Sequence, residues 1–308
     1  MKRRKKKSSR GRDWSALQPE VLVVIFRKIG ALEVLRTAGS VCRSWRKVAT
    51  EEPQLWRRID MTNHGYGSDA LVLMDPTRCA IDRSNGQLEE FSIEYFGDDN
   101  LLQYLCDRTS VLKRLCLISC WQLYGEAIIE TARRQPLLEE LQITFGSFSE
   151  NMTEIVGREC PQLKSFKFNN TWYNLPPFGP DDNEYLVDDE GAFGIANTMH
   201  QLRHLQLIGN RMNSHFSFGS QTLFRMTNKG LKAILDGCPH LETLDIRRCR
   251  NVKMDADMRA YCAKLKTMRL SEDSLDGYQF QADTDGQLDY INFCLSGAAF
   301  YRDGCQEA

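Results

Sequence analysis

The hexapeptide Leu138-Glu139-Glu140-Leu141-Gln142-Ile143 has a leading leucine, then apolar residues at its fourth and sixth positions, and this pattern recurs along the chain. The leading leucines of the seven copies are Leu88, Leu112, Leu138, Leu163, Leu202, Leu241 and Leu265. Successive leucines lie 24, 26, 25, 39, 39 and 24 residues apart. The alternation within each copy predicts a short strand, and the apolar stripe that follows, such as Leu231, Ile234 and Leu235, predicts a helix.

Four of these six intervals match the period of leucine-rich repeats, which is about 20–29 residues. Units of this kind stack side by side and each contacts its neighbours. We therefore predict an α/β chain: a strand–helix solenoid with a curved parallel sheet over residues 70–275. Residues 276–308 are predicted to be a C-terminal cap or tail.

The two long intervals predict insertions near residues 172–192 and 213–226. The first contains a proline-rich run followed by six acidic residues, which indicates a surface loop leading into an acidic helix. Removal of the 14 residues 213–226 would restore a 25-residue interval. This second insertion is interpreted as a loop on one repeat or as the product of an alternative transcript.

Residues 13–60 form a separate unit that is predicted to be helical. Pro19 suits the first turn of a helix, and Leu22, Ile25, Phe26 and Ile29 follow on one helical face. About 48 residues are few for an independent hydrophobic core, so this unit is expected to pack against a neighbour or a partner.

The segments 17–22 and 41–46 of this unit resemble an F-box, the second through its Val-Cys-Arg-x-Trp motif. Gln18 stands where the family usually has proline, and Pro19 follows one place later. The repeats resemble the cysteine-containing leucine-rich repeats that follow an F-box in plant proteins, because 160–163 and 238–241 both read Cys-Pro-x-Leu. The resemblance implies adaptor-facing or adaptor-supporting roles for Leu17, Pro19, Ile29, Val41, Cys42 and Trp45.

The resemblance also implies a function. An F-box protein of this class is a non-catalytic receptor that binds a Skp-type adaptor and, through it, a cullin–RING ligase. We therefore expect the substrate-recognition subunit of an SCF-type ubiquitin ligase, with an unknown protein substrate. The alternative is an interaction scaffold that binds the adaptor without directing ubiquitin transfer.

The repeats also predict where a substrate would bind. Side chains alternate between the faces of a strand, so the apolar pair faces the core and the residues between and just after it line the concave face. The predicted substrate-binding residues are Gln142, Thr144, Lys167, Asn169, Gln206, Asp245, Arg247 and Arg269. Positive charge at Lys167, Arg247 and Arg269 suggests an acidic partner, whereas the alternative is that these positions are polar only because solvent reaches them.

The net charge of −1 conceals a strong asymmetry. Residues 1–12 carry eight basic residues, and the remaining chain carries 32 Lys and Arg against 41 Asp and Glu. The basic run is predicted to be disordered, and it is interpreted as a nuclear-import signal, an anion contact or a solubilising tail. We expect a location in the nucleus, the cytoplasm or both. Nucleic-acid binding is not favoured, because few aromatic residues accompany the basic ones.

Sequence patterns of catalysis are not found. The chain has no GxxxxGK[ST], HExxH or GxSxG motif, and no cofactor is implied. Cys116, Cys120, His200 and His204 do not have the paired spacing of a zinc finger, so no metal site is predicted. No segment is apolar for the roughly 18 residues that a membrane span needs. Without an apolar export signal, the eleven cysteines are expected to be reduced thiols.

Overall fold

A computed structural model describes residues 14–64, 72–120, 122–144, 146, 149, 151–169, 189–208, 226–249 and 251–274. The basic run 1–12, nearly all of both predicted insertions and the segment 276–308 lie outside the described residues.

The N-terminal unit consists of short helices, as the sequence predicts. Its α-helices are α1 (Pro19–Ile29), α2 (Ala31–Arg36) and α3 (Arg43–Glu51), and its 3-10 turns are Trp14–Ala16, Ala38–Ser40 and Pro53–Trp56. Pro19 lies in the first turn of α1, where its missing N–H costs no hydrogen bond. Gly30 ends α1 with a φ of +89°, which a residue with a side chain rarely adopts, and α2 begins directly after it.

Leu22 and Phe26 of α1 are fully buried and form the centre of this unit. The ring of Trp45 packs edge-on against Phe26, with the ring centroids 5.4 Å apart. The indole N–H of Trp45 donates to the carbonyl oxygen of Trp14 at 3.0 Å. The third apolar stripe of the sequence is therefore packed onto the first.

In the rest of the described chain, strands alternate with helices. The strands form one eight-stranded parallel sheet, in which they follow one another in chain order. The strands are β1 (Arg58–Met61), β2 (Glu90–Glu94), β3 (Arg114–Ile118), β4 (Glu140–Thr144), β5 (Ser165–Asn169), β6 (His204–Ile208), β7 (Thr243–Asp245) and β8 (Thr267–Arg269). The helices of this part are α4 (Met74–Arg83), α5 (Asp99–Cys106), α6 (Gly125–Arg134), α7 (Met152–Glu159), α8 (Glu190–Thr198), α9 (Asn228–Gly237) and α10 (Ala256–Cys262). The predicted fold class, a short helical unit followed by a strand–helix solenoid, is confirmed.

The recurring leucines form the spine of the solenoid. Six of the seven leading leucines are at most 5% exposed, and Leu265 in the last repeat is partly buried. The apolar pair of each strand joins them in one continuous core with the helices. Side-chain oxygens of Asp98, Thr227 and Asp255 accept backbone N–H groups at the starts of α5, α9 and α10, which fixes where those helices begin.

The sheet begins earlier than the sequence predicts, inside the range 13–60 that was interpreted as the helical unit. The segment 56–61 follows the repeat pattern with tryptophan in place of the leading leucine, because Ile59 and Met61 pair in register with Phe91 and Ile93. Trp56 is fully buried, and its indole N–H donates to the carbonyl oxygen of Ala49 in α3 at 3.1 Å. The helical unit and the solenoid therefore share one hydrogen-bonded structure.

None of the helices in the described parts of the chain has the length and apolar character needed to cross a membrane.

Candidate functional site

The N-terminal unit exposes an unusual amount of apolar surface. Of nine large hydrophobic side chains that are exposed in the described chain, five belong to this unit: Trp14, Val21, Val24, Ile29 and Val41. Val24 and Val41 are 54% and 59% exposed. Large exposed apolar patches mark sites of protein association, so this unit is a candidate docking surface.

The six residues predicted to face or support an adaptor divide into two groups. Pro19, Ile29 and Val41 are exposed. Leu17, Cys42 and Trp45 are half-buried, and the contacts of Trp45 with Phe26 and Trp14 give it a structural role.

Val21 and Val24 were not among the predicted residues. They lie three positions apart on one face of α1, opposite the side that buries Leu22 and Phe26. The run of apolar residues at 21–26 was the available signal, because it exceeds what one buried helical face requires.

The second candidate surface is the concave face, which is the face of the sheet opposite the helices. The strand register aligns a central row across all eight strands, which we call the second row: Asp60, Ser92, Cys116, Gln142, Lys167, Gln206, Asp245 and Arg269. The predicted residues Gln142, Lys167, Gln206, Asp245 and Arg269 are thus brought together in this row. Lys167, Gln206 and Asp245 are half-buried, Arg269 is exposed, and Gln142 is 9% exposed.

A further row precedes the second row by two residues in every strand and was missed by sequence reasoning. This first row consists of Arg58, Glu90, Arg114, Glu140, Ser165, His204, Thr243 and Thr267. Extending the period-two alternation one step towards the amino end of each strand would have found it. Two of its pairs are ionic across neighbouring strands: Arg58 Nε lies 2.8 Å from Glu90 Oε1, and Arg114 Nη1 lies 3.3 Å from Glu140 Oε2.

The third row follows the second by two residues and is closed to solvent. It consists of Glu94, Ile118, Thr144, Asn169 and Ile208, each at most 8% exposed. Thr144 and Asn169 were predicted on the accessible face, but they are buried beside one another, and Asn169 Nδ2 donates to Thr144 Oγ1 at 3.5 Å. Burial raises the pKa of the Glu94 carboxyl, an effect that the backbone N–H of Asn63 partly opposes by donating to Glu94 Oε2.

The prediction that Lys167, Arg247 and Arg269 are three surface cations is wrong for Arg247. Arg247 is buried, with 1% of the residue exposed to solvent. Its Nε and Nη2 lie 2.9 Å from Oδ1 and 2.7 Å from Oδ2 of Asp245, and its Nη1 donates to the carbonyl oxygen of Ser274 at 2.9 Å. A buried guanidinium needs such a partner, so Arg247 is a structural ion-pair partner rather than a surface charge. Lys167 and Arg269 remain as the accessible cations of the predicted set.

A shallow cavity of about 170 Å³ lies on the carboxyl-terminal half of the concave face. It spans strands β5 to β8. Its lining side chains come from the first two rows and include Lys167, His204, Gln206, Thr243, Asp245, Thr267 and Arg269. The arrangement offers cations at both ends and hydrogen-bonding groups between them, which suits a polar ligand rather than an apolar one.

The cysteines do not form a reactive centre in the described part of the chain. Burial raises the pKa of the Cys116 thiol to about 11 and those of Cys160 and Cys238 to about 12. The thiolate is the nucleophilic form, so these groups are unreactive near neutral pH. Sγ of Cys160 instead donates to the carbonyl oxygen of Ala132 on the preceding helix. Among the described residues, no group of three or more His, Cys, Asp or Glu is placed to hold a metal ion.

These raised pKa values predict slow alkylation of the buried thiols. At pH 8, raising the Cys238 pKa from 9.0 to about 12 lowers the thiolate fraction about 1,000-fold. In native protein treated with iodoacetamide, Cys160 and Cys238 should therefore label much more slowly than in guanidinium-unfolded protein. Peptide mass spectrometry over a time course measures both rates, with half-buried Cys42 as the internal reference. Equal labelling rates of Cys238 in native and unfolded protein would contradict the burial of this thiol.

Comparison with known proteins shows which family has a sequence similar to this chain. The F-box-like family model matches residues 14–62. F-box/LRR-repeat protein 23 of Arabidopsis thaliana is 36% identical over 272 residues, which cover 88% of this chain but 56% of that relative. F-box protein SKIP19 of Arabidopsis thaliana is 37% identical, with 89% of this chain and 82% of the relative covered. F-box/LRR-repeat protein 9 of the same plant is 36% identical, with 82% of this chain and 94% of the relative covered.

The chain thus spans about half of the first relative's length and most of the lengths of the other two. The matches run through the helical unit and the solenoid together, in agreement with the continuous structure that joins them. On this evidence, the chain belongs to the F-box/leucine-rich-repeat protein family.

Proposed function

We propose that this protein is the substrate-recognition subunit of an SCF-type ubiquitin ligase. In this proposal, the exposed apolar residues of the F-box unit bind a Skp-type adaptor, and the concave face of the solenoid binds a protein substrate. The observation that carries the proposal is the concentration of exposed apolar side chains in the F-box unit. Surface of this kind is unfavourable in water unless a partner covers it.

The junction between the two parts supports a receptor role. Trp56 is buried under α3, and the strand that follows it, β1, is the first strand of the sheet. The guanidinium of Arg83 in α4 stacks over the Trp56 ring at 5.3 Å, and its Nη1 donates to the carbonyl oxygen of Ala49 at 3.4 Å. A substrate on the solenoid would therefore be held in a fixed position relative to the adaptor.

A fixed position is sufficient for this mechanism. A receptor raises the effective concentration of a substrate lysine near a charged conjugating enzyme, and it needs no nucleophile of its own. The buried, protonated thiols described above accord with that division of labour. A location in the nucleus, the cytoplasm or both stays a prediction that rests on the basic run 1–12.

Reconstitution tests the proposal. Full-length protein co-expressed with a Skp-type adaptor is expected to purify as a 1:1 complex and to recruit a cullin–RING module. A protein captured by this complex under proteasome inhibition should then receive ubiquitin in vitro only when the receptor is present. The alternative, a scaffold that binds the adaptor alone, predicts the same complex without receptor-dependent ubiquitin transfer. Absence of any adaptor complex would refute both.

A further inference from the structure

The charges of the sheet are mostly neutralised across neighbouring strands, and this makes the exceptions informative. Carboxylates lie within 4.0 Å of the cations Arg58, Lys113, Arg114, Lys164, Arg203 and Lys266. No carboxylate of the described residues is within that distance of Lys167 or Arg269, both of which line the cavity on β5 to β8. With respect to the part of the chain that the structure describes, these two cations are therefore available to an anionic ligand.

The centre of the same cavity has a different character. Asp245 lies between the two cations in the second row, and buried Arg247 neutralises its charge from within the protein. An anionic group placed over the centre would face the Asp245 carboxylate, whereas the compensating guanidinium of Arg247 is buried and cannot contact the ligand. A neutral side chain avoids that repulsion and can bond to Gln206 or Thr243.

The strand spacing sets the length of the ligand. Lys167 and Arg269 are three strand intervals apart, which is roughly 14 Å at about 4.8 Å per interval. An extended peptide rises about 3.3 Å per residue, so roughly four residues span this separation. Residues at positions i, i+2 and i+4 of an extended peptide project to the same side. Three side chains would therefore face the Lys167 end, the centre and the Arg269 end of the cavity.

We propose that the substrate element is an extended peptide with anionic side chains at positions i and i+4 and a neutral side chain at i+2. The anions contact Lys167 and Arg269, and the neutral residue lies midway, between Gln206 and Asp245. This inference rests on the proposed function and specifies the substrate class of the same surface. Glutamate and phosphoserine both supply the required charge. A continuous polyanion such as nucleic acid fits less well, because it would place charge over Asp245.

Fluorescence anisotropy on the full-length protein in its adaptor complex tests this proposal. The probes are labelled peptides of about ten residues with Glu at i and i+4 and Ala at i+2, with matched peptides carrying Gln or phosphoserine at i and i+4, or Glu at i+2 as well. The Glu and phosphoserine peptides are expected to bind at least about tenfold more tightly than the Gln peptide. Stronger binding of the phosphoserine peptide would identify phosphorylation as the source of the anion, and equal binding would identify carboxylate. Adding Glu at i+2 should weaken binding.

The variants locate the contact. Lys167→Glu with Arg269→Glu should weaken binding of the Glu peptide at least about tenfold. The same double variant should gain binding to a peptide with Lys at i and i+4, because the charges are then complementary again. The matched control is Lys232→Glu with Arg259→Glu, which makes the same charge change on the outer helices α9 and α10 and should leave the affinity unchanged. Retained adaptor binding shows that each variant is folded.

Three results would overturn the peptide rule: equal affinity for the Glu and Gln peptides, equal losses in the test and control variants, or displacement of the peptide by an oligonucleotide of similar charge. If the wild-type complex binds none of the peptides but still directs ubiquitin to a captured protein, the peptide rule fails and the proposed function stands. If no adaptor complex forms, the proposed function itself fails.

Discussion

Replacement of Trp56 by alanine is expected to destabilise the protein by about 3–5 kcal/mol, the cost of truncating a large buried aromatic side chain. Trp56 is fully buried, its N–H donates to Ala49 and Arg83 stacks over its ring, so the substitution removes packing, a hydrogen bond and a cation–π contact together. A typical domain is stable by about 5–15 kcal/mol, so the loss is a large fraction of the whole.

The other tryptophans of the unit provide a graded series for this prediction. Trp45 is half-buried against Phe26, and Trp14 is 54% exposed. The same chemical change should therefore cost most at Trp56, less at Trp45, and about 0.5 kcal/mol or less at Trp14, where a surface side chain is removed. The carbonyl of Trp14 that accepts from Trp45 is retained in Trp14→Ala.

Urea denaturation of the full-length variants, followed by circular dichroism, gives the three free energies of unfolding. Limited proteolysis offers a second readout, because loss of Trp56 should expose the segment between α3 and β1 to cleavage. Equal stability of Trp56→Ala and Trp14→Ala would contradict the shared structure of the F-box unit and the solenoid.

The repeats were predictable because one residue type carried the signal. A leucine that recurs after 24–26 residues in four of six intervals, each time followed by an apolar pair with period two, predicts a buried strand whichever residues lie between. The rows of the concave face follow from the same alternation, since parallel strands in register align equivalent positions. The first strand was missed because Trp56 replaces the expected leucine and lies 32 residues before Leu88, outside the usual interval.

Burial on the concave face was less predictable, because it depends on which charges find partners. Asp245 ends β7 and Arg247 lies two residues later in the turn that follows, so an ion pair between these sequence neighbours was foreseeable. The nearly complete burial of Arg247 was not foreseeable, because the carbonyl of Ser274 to which it donates comes from 27 residues further along the chain. The burial of Thr144 and Asn169 likewise depends on neighbouring strands.

Aspartate at positions 24 and 41 is expected to abolish adaptor binding without unfolding the protein. Val24 and Val41 are the most exposed valines of the F-box unit, so aspartate at either position remains solvated in the free protein. In a complex that covers these side chains, each carboxylate would lose its water and gain no partner, which is strongly unfavourable. Residues central to an interface typically cost about 2 kcal/mol or more when truncated, which corresponds to roughly a 30-fold loss of affinity per site.

Val72→Asp is the matched control for these substitutions. Val72 is 62% exposed and lies outside the segment that matches the F-box-like model, so it undergoes the same chemical change at similar exposure. Biolayer interferometry with immobilised adaptor should show wild-type affinity for Val72→Asp, roughly 30-fold weaker binding for Val24→Asp and for Val41→Asp, and no measurable binding for the double variant. Thermal melting should be nearly unchanged in all four proteins.

The double variant also separates the two surfaces, because both valines lie in the F-box unit, whereas the concave face is formed by the strands of the solenoid. Val24→Asp with Val41→Asp should lose the adaptor yet still bind the i, i+4 acidic peptide, whereas Lys167→Glu with Arg269→Glu should lose the peptide yet retain the adaptor. Reciprocal loss of this kind is expected only if the two binding sites are independent parts of one receptor. Wild-type adaptor affinity in the doubly substituted protein would instead show that the exposed valines of the F-box unit are not the docking surface.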